Sequence, residues 1–76
     1  MISSDTDGTV YLRPDPASAL YAPEGARCSA QSTIALVEVM KTFTAVRTPS
    51  MGEVVSVRVA DGDAVQAGQA LFWFRP

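Results

Sequence analysis

The feature that most constrains the fold is an apolar and β-branched run from Thr33 to Val46, which is too long to be one strand. Fully extended, its 14 residues would span about 46 Å at ~3.3 Å each. A globule of 76 residues has an expected diameter of only about 30 Å. The run must therefore reverse, and two strands of ordinary length result if it reverses at Met40 and Lys41. We predict a hairpin whose tip carries Lys41, the only lysine in the sequence.

The residues at this predicted tip break the usual sequence rule for a tight hairpin. Two-residue hairpin loops favour Asn-Gly or Asp-Gly, because both central residues often adopt positive φ. The chain has Met40 and Lys41 instead. Local rules are broken most often where function overrides them, so we interpret the pair as part of a functional site.

The composition excludes several classes of function. With no histidine and one cysteine, the chain has no imidazole base, no histidine-containing zinc site and no internal disulfide. It also lacks a phosphate-binding loop and a convincing pair of nucleophile and base, so we expect no catalytic and no metal-binding residues. A net charge of −2 with six scattered basic residues argues against binding to nucleic acid.

The hydropathy of the chain argues against contact with a membrane. No apolar run approaches the ~20 residues that a membrane-spanning helix needs. The polar start Met1-Ile2-Ser3-Ser4-Asp5 lacks the basic and apolar regions of a signal peptide. We therefore expect a soluble, cytoplasmic protein.

Short strands are predicted for most of the chain, which is long enough for one domain, residues 1–76. After a frayed start near Ile2, we expect strands at Thr9–Leu12, Arg27–Ser29, Thr33–Met40, Phe43–Thr48, Glu53–Val59, Ala64–Gln66 and Ala70–Phe74. The segment from Arg13 to Pro23 contains three prolines and is expected to be an exposed loop.

The sequence also repeats itself. Gly52-Glu53-Val54, Gly62-x-x-Val65 and Leu71 in the second half parallel Gly8-Thr9-Val10, Gly25-x-x-Cys28 and Ile34 in the first. One interval differs, because Gly8 to Gly25 is 17 residues whereas Gly52 to Gly62 is 10. Two similar halves predict a β sandwich with pseudo-twofold symmetry, and the extra residues fall in the proline-rich loop, where an insertion is tolerated best.

The motif Glu38-x-Met40-Lys41 between two strands resembles the attachment signature of biotinyl domains, which belong to the biotinyl/lipoyl attachment domain family. The resemblance covers about residues 8–75 and includes the closing segment Gly62-x-x-Val65-x-x-Gly68-x-x-Leu71. It implies an all-β fold, a flattened sandwich of two four-stranded antiparallel sheets, with the lysine at one end and the termini at the other.

An insertion after the first strand is unusual in that family but is found in the carrier proteins of bacterial-type acetyl-CoA carboxylases, where it is called the thumb. The sequence Gly8-Thr9-Val10-Tyr11 followed by Pro14-Asp15-Pro16 resembles the sequence at the thumb of those proteins. The resemblance implies a thumb at about residues 13–21, in which Pro14, Asp15 and Pro16 lie toward the biotin. The alternative is a surface loop without a function.

The resemblance implies a biotin carboxyl carrier and not an enzyme. A biotin protein ligase would join biotin to Lys41 through an amide, with Glu38, Val39 and Met40 completing the attachment motif. The biotin would then move an activated carboxyl group from a biotin carboxylase to a carboxyltransferase, most simply to convert acetyl-CoA to malonyl-CoA for fatty-acid synthesis. The alternatives are a carrier of another biotin-dependent carboxylase, a lipoyl carrier domain and an unmodified structural module of the same fold.

Some other side chains have structural interpretations. Met40 and Phe43 are equally consistent with core positions and with an exposed collar that partners contact. Cys28 is expected to be buried because it occupies the place of Val65, and Asp61 is expected to serve only its own turn. Where the family commonly has Gly-Asp before the lysine-bearing strand, this chain has Gln31-Ser32, so we expect a distorted turn there.

Overall fold

The computed structural model describes all 76 residues and consists of eight β-strands joined by turns and loops. The strands are β1 (Ile2–Ser3), β2 (Gly8–Tyr11), β3 (Arg27–Cys28), β4 (Thr33–Val39), β5 (Thr42–Arg47), β6 (Gly52–Val57), β7 (Ala64–Val65) and β8 (Ala70–Arg75). They fall where the sequence predicted them, apart from small differences at their ends. The structure contains no helix with the length and apolar character that crossing a membrane requires.

The strands form two four-stranded sheets in which every pair is antiparallel. One sheet has the order β1-β8-β6-β3 and the other β5-β4-β2-β7. The molecule is flattened, with extents of 31 × 28 × 19 Å. The predicted all-β sandwich is therefore confirmed.

The core lies between the sheets and is built mainly from residues of the longer strands. Among its fully buried side chains are Val10, Ile34, Val54, Leu71 and Phe72. Burying a side chain of this kind stabilises the fold by roughly 1.5–3 kcal/mol. Because the single cysteine forms no disulfide, apolar burial is the main source of stability.

Matched backbone hydrogen bonds confirm the pseudo-twofold symmetry that the repeat predicted. In one sheet the Val10 N–H donates to the Asp63 carbonyl at 2.9 Å. In the other sheet the equivalent bond joins the Val54 N–H to the Ala26 carbonyl, also at 2.9 Å. The symmetry is not complete in its burial, since Cys28 is half-buried on the edge strand β3 whereas its counterpart Val65 is buried. The expectation that Cys28 is buried was therefore wrong.

The symmetry also explains the position of the β4–β5 hairpin. β4 and β5 are neighbours in one sheet, and their counterparts β8 and β1 are neighbours in the other. The chain links β4 to β5 directly, but β8 and β1 are its two ends. Met1 lines one cleft together with Pro49 and with Arg47, the last residue of β5, at the end of that strand remote from Lys41. The hairpin tip and the chain termini therefore occupy opposite ends of the molecule.

Close approach of the strands near the hairpin requires glycine at position 8. A Cβ on Gly8 would lie 2.5 Å from the Glu38 carbonyl oxygen and 2.9 Å from the Val37 side chain. The same constraint applies to its counterpart Gly52, because a Cβ there would collide with the backbone oxygen of Arg75. Any side chain at position 8 would therefore push the end of β4 away from β2.

The turn before β4 is not distorted, so the expectation from Gln31-Ser32 was wrong. Gln31 adopts φ 64°, close to the 85° of Gly68, which is its counterpart in the second half. The Gln31 N–H donates to the Thr48 carbonyl at 3.0 Å, and the Gly68 N–H makes the matching bond to Ser4 at 2.8 Å. The turn keeps its shape because Gln31 adopts the left-handed conformation, which costs a non-glycine residue about 1–2 kcal/mol.

Replacing Gln31 with glycine should therefore stabilise the protein. We expect Gln31→Gly to raise the free energy of unfolding by about 0.5–1 kcal/mol, the relief of strain less the greater freedom of glycine in the unfolded chain. The reverse exchange, Gly68→Gln, should lower it by a similar amount, because the same two effects act with opposite sign. Urea unfolding followed by Trp73 fluorescence measures both variants, and a less stable Gln31→Gly would contradict the assignment of strain.

Candidate functional site

A two-residue loop at the tip of the β4–β5 hairpin carries Met40 and Lys41. Val39 pairs with Thr42, so only these two residues lie outside the ladder. Met40 has φ 50° and Lys41 has φ 66°. Positive φ at both central positions is the requirement of a type I′ turn. The reversal therefore falls where the length of the apolar run predicted it.

The backbone of this loop is strained, because neither residue is of a type that favours the left-handed region. The strain costs about 1–2 kcal/mol for each residue. It persists because the flanking ladder determines the turn: Glu38 is directly opposite Phe43, and Val37 is opposite Thr44. Strained backbone held in place by regular structure is typical of functional sites.

The Lys41 amine has no partner within the molecule. Lys41 is exposed, and the one ion pair of the structure joins Arg13 to Asp61. Glu38, the nearest carboxylate in the sequence, is hydrogen-bonded to Tyr11 instead. The primary amine is therefore free to react with, or to be bound by, another molecule.

Exposed apolar side chains surround the lysine and form what we call the apolar collar, namely Val39, Met40 and Phe43. Met40 is 93% exposed, Phe43 is 56% exposed and Val39 is 38% exposed. Met40 and Phe43 are thus not core residues, which decides between the two interpretations of the sequence. An apolar surface beside a free amine is typical of a site that protein partners contact, and methionine adapts to more than one of them.

Tyr11 contacts both Glu38 and Phe43 on the outer face of the sheet. Its hydroxyl donates a hydrogen bond to Glu38 Oε1 at 3.3 Å. Its ring lies against that of Phe43, with centroids 6.1 Å apart and planes inclined by 48°. The sequence did not predict these contacts of Tyr11, which was considered only as part of the motif that precedes the insertion.

The environment of Tyr11 raises its pKa above the usual 10.0. Burial is the largest cause, since it disfavours the charged phenolate. The negative charge of Glu38, the hydrogen bond to Glu38 and the charge of Asp61 act in the same direction. Tyr11 is therefore a neutral hydrogen-bond donor at physiological pH.

The loop from Leu12 to Tyr21 has a defined shape. The Tyr21 N–H donates to the Leu12 carbonyl at 2.8 Å and closes the base of the loop. Within the loop, Asp15 accepts from the Ala17 N–H at 2.9 Å and from the Ser18 hydroxyl at 2.8 Å. Asp15 therefore organises a turn inside this proline-rich segment.

Asp61 anchors the base of this loop to the rest of the molecule. Its Oδ1 accepts from the Leu12 N–H at 2.6 Å, and its Oδ2 lies 3.8 Å from Arg13 Nε. Arg13 also donates to the Ser18 carbonyl at 3.3 Å. The expectation that Asp61 serves only its own turn was incomplete, and 49 residues separate it from Leu12, so no local pattern could reveal the contact.

A cleft of about 210 Å³ lies between the loop and the outer face of the sheet. Tyr11, Leu36 and Phe43 line it on the side of the sheet. Its other lining residues are Arg13, Pro14, Asp15, Pro16 and Asp61. Whole ligand pockets usually measure about 300–1,000 Å³, so this cleft has room for part of a small molecule. The structure thus places Pro14, Asp15 and Pro16 across a cleft from Phe43, close to the hairpin tip.

Asparagine at position 40 should stabilise the hairpin, because it tolerates the left-handed region better than methionine does. We expect Met40→Asn to raise the free energy of unfolding by about 0.5–1 kcal/mol. Met51 is a suitable control position, because its side chain is also exposed but its φ is not positive. Equal effects of Met40→Asn and Met51→Asn in urea unfolding would contradict the argument from the turn.

The raised pKa of Tyr11 predicts how stability depends on pH. The folded state holds the phenolic proton more tightly than the unfolded state does, so this contribution is fully present below pH 10 and is lost as pH rises above it. The free energy of unfolding should therefore fall more steeply above pH 10 in the wild type than in Tyr11→Phe. Tyr21→Phe, which leaves Tyr11 in place, should keep the steeper fall; identical profiles for all three proteins would refute the prediction.

Comparison with known proteins agrees with this geometry. The model of a family described as "Biotin-requiring enzyme" matches residues 2–74. The biotin carboxyl carrier protein of acetyl-CoA carboxylase from Chlamydia pneumoniae is 37% identical over 71 residues, which are 93% of this chain and 42% of that protein. The protein of the same name from Pyropia yezoensis is 31% identical over 70 residues, 92% of this chain and 44% of that protein.

A solved structure also has this fold. It comes from work on a single-chain, multi-domain long-chain acyl-CoA carboxylase, and it matches with a TM-score of 0.81 and 29% identity over 96% of this chain and 7% of that chain. The chain spans less than half the length of the two carrier proteins named above. Because the family model covers nearly every residue, including the lysine hairpin, the chain belongs to the biotinyl/lipoyl family.

Proposed function

We propose that the chain is a biotin carboxyl carrier to which biotin is attached through an amide bond at Lys41. The observation that carries this proposal is the position of Lys41, the sole lysine, at an exposed hairpin tip where its amine has no partner. The names of the similar carrier proteins support it. Residues 1–76 would then form a single biotinyl domain, with the insertion at about 13–21 as its thumb.

Attachment requires a partner enzyme, a biotin protein ligase. No side chain of the molecule contacts the Lys41 amine, so the ligase must provide the base that takes its proton. The deprotonated Nζ attacks the acyl carbon of biotinyl-adenylate, the amide bond forms and AMP leaves. Glu38, Val39 and Met40 form the attachment motif with Lys41, and the exposed collar gives the ligase an apolar surface to bind.

The role of the chain is that of a carrier and not of a catalyst. Bound biotin supplies a ureido nitrogen that accepts a carboxyl group and later releases it. The hairpin holds the lysine away from the body of the sandwich, so that its long side chain can enter the active site of another protein. Tethering maintains a high local concentration of the cofactor at each site that the arm can reach.

The thumb residues fit a role in restraining the cofactor. Pro14, Asp15 and Pro16 face the Phe43 side chain across the 210 Å³ cleft, which is large enough for part of biotin. Prolines and the Asp15 turn reduce the freedom that the loop would lose on binding. We therefore assign to this loop the role of a flap beside Lys41.

The partners in this proposal are a biotin carboxylase, which loads the carboxyl group, and a carboxyltransferase, which removes it. Acetyl-CoA would be the acceptor, giving malonyl-CoA for fatty-acid synthesis in the cytoplasm. The two carrier proteins named above support the choice of acceptor, because both are named as parts of an acetyl-CoA carboxylase. The resemblance of the sequence around Pro14-Asp15-Pro16 to the thumb of acetyl-CoA carboxylase carrier proteins also supports acetyl-CoA as the acceptor.

Replacing the lysine tests the proposal directly. Co-expressed with an active biotin ligase, the wild type should gain the mass of one biotinyl group and bind streptavidin. Lys41→Arg keeps the charge but cannot form this amide, so it should gain no mass and fail to bind. Because Lys41 is exposed, its replacement should change the free energy of unfolding by less than about 0.5 kcal/mol.

A second variant controls for position. Arg47 lies on the same strand as the hairpin but away from its tip, so Lys41→Arg combined with Arg47→Lys moves the only lysine to regular structure. This double variant should also remain unmodified. A wild type of unchanged mass would refute the carrier, and a lipoyl mass would assign the lysine to the other branch of the family.

A further inference from the structure

Glu38 is the one charged residue of the attachment motif apart from Lys41, and its side chain has a defined neighbour. We infer that Tyr11 is a positioning residue for ligase recognition: its hydroxyl holds the Glu38 carboxylate in the orientation that the ligase binds. This inference rests on the proposed function and identifies how the chain prepares the same site. It concerns Tyr11 and Glu38, which lie on different strands.

The contacts of Glu38 support this role. Alternation along β4 turns Val37 into the core and Glu38 to the outer face of the sheet. The carboxylate has no ion pair, and the Tyr11 hydroxyl is its one hydrogen-bond partner. An unrestrained glutamate would lose side-chain entropy when a partner binds it. Tyr11 reduces that loss by restricting the side chain beforehand.

The hydrogen bond leaves part of the carboxylate available to a partner. It joins the Tyr11 hydroxyl to Oε1 at 3.3 Å, and Oε2 accepts no hydrogen bond from within the molecule. A cationic or N–H group of the ligase is the chemistry that would complete it.

Tyr11 is itself held by regular structure. Its backbone pairs with Leu36 in the β2–β4 ladder, and its ring lies against Phe43. The next residue, Leu12, is anchored to Asp61 by the 2.6 Å hydrogen bond at the base of the loop. The pKa of Tyr11 is raised above 10.0, so its hydroxyl is protonated and can donate at neutral pH.

Steady-state kinetics of biotin transfer tests this inference. Unmodified chain is the varied substrate, and purified biotin ligase, biotin and magnesium ATP are present at fixed concentrations. Tyr11→Phe keeps the ring against Phe43 but removes the donor, so KM for the chain should rise about three- to tenfold with kcat unchanged. Tyr21→Phe, a matched loss of a hydroxyl that makes no hydrogen bond, should leave KM at the wild-type value.

Two further variants show whether the hydroxyl acts through the carboxylate. Glu38→Gln should raise KM at least as much as Tyr11→Phe, and adding Tyr11→Phe to Glu38→Gln should have almost no further effect. Glu38→Asp retains the charge but withdraws it from Tyr11, so it should also raise KM. This variant keeps Tyr11, so it tests the inference even if Tyr11→Phe folds poorly.

The possible results separate this inference from the proposed function. If the wild type accepts biotin but Tyr11→Phe or Glu38→Asp has the wild-type KM, the positioning role is overturned and the carrier function stands. Additive effects of Tyr11→Phe and Glu38→Gln would overturn it too, because the two groups would then act separately. If the wild type itself accepts no biotin, the proposed function has failed.

Discussion

The structure depends on one constraint, the reversal of a long apolar run within a body about 30 Å across. The two strands that result, β4 and β5, form the longest ladder of the molecule, which is regular from Ala35–Val46 to Val39–Thr42. That ladder compels positive φ at Met40 and Lys41, where an ordinary loop would relax to a cheaper backbone. The amine is consequently presented from rigid structure, which positions a reactive group more accurately than a mobile loop does.

The pseudo-twofold symmetry allows the half that carries the lysine hairpin to be compared directly with the half that lacks it. Both halves bury the same kind of apolar residues and use the same backbone hydrogen bonds. They differ in what lies on the outer faces. The loop from Leu12 to Tyr21 lies over the face that carries Tyr11 and Leu36, whereas the equivalent face of the other sheet leaves Val55 and Trp73 41% and 46% exposed. The insertion therefore distinguishes the end bearing the lysine from the end bearing the termini.

Sequence reasoning found the features that local physics determines. The length of the apolar run located the hairpin, glycine spacing revealed the repeat, and the prolines marked the loop. It failed at contacts between distant segments, since nothing near Asp61 indicates that it binds Leu12, and nothing near Tyr11 indicates that it reaches Glu38. Gln31 shows a different limit. Its type predicted a distorted turn, but hydrogen bonds to Thr48 impose the glycine-like conformation on it. Tertiary contacts thus override a local preference that costs only about 1–2 kcal/mol.

The separation of the site from the core explains why this chain tolerates its strained tip. Val39, Met40, Lys41 and Phe43 are all exposed, and none belongs to the buried cluster between the sheets. The backbone strain of Met40 and Lys41 is a fixed cost that the core and the ladder offset, and all four side chains remain exposed. A small β sandwich can therefore carry an unusual Met-Lys turn without losing its fold, provided that Gly8 still lets β2 approach β4. The exposed residues of the tip and the buried residues of the core are separate sets, and the Tyr11–Glu38 hydrogen bond joins β2 to β4 close to that tip.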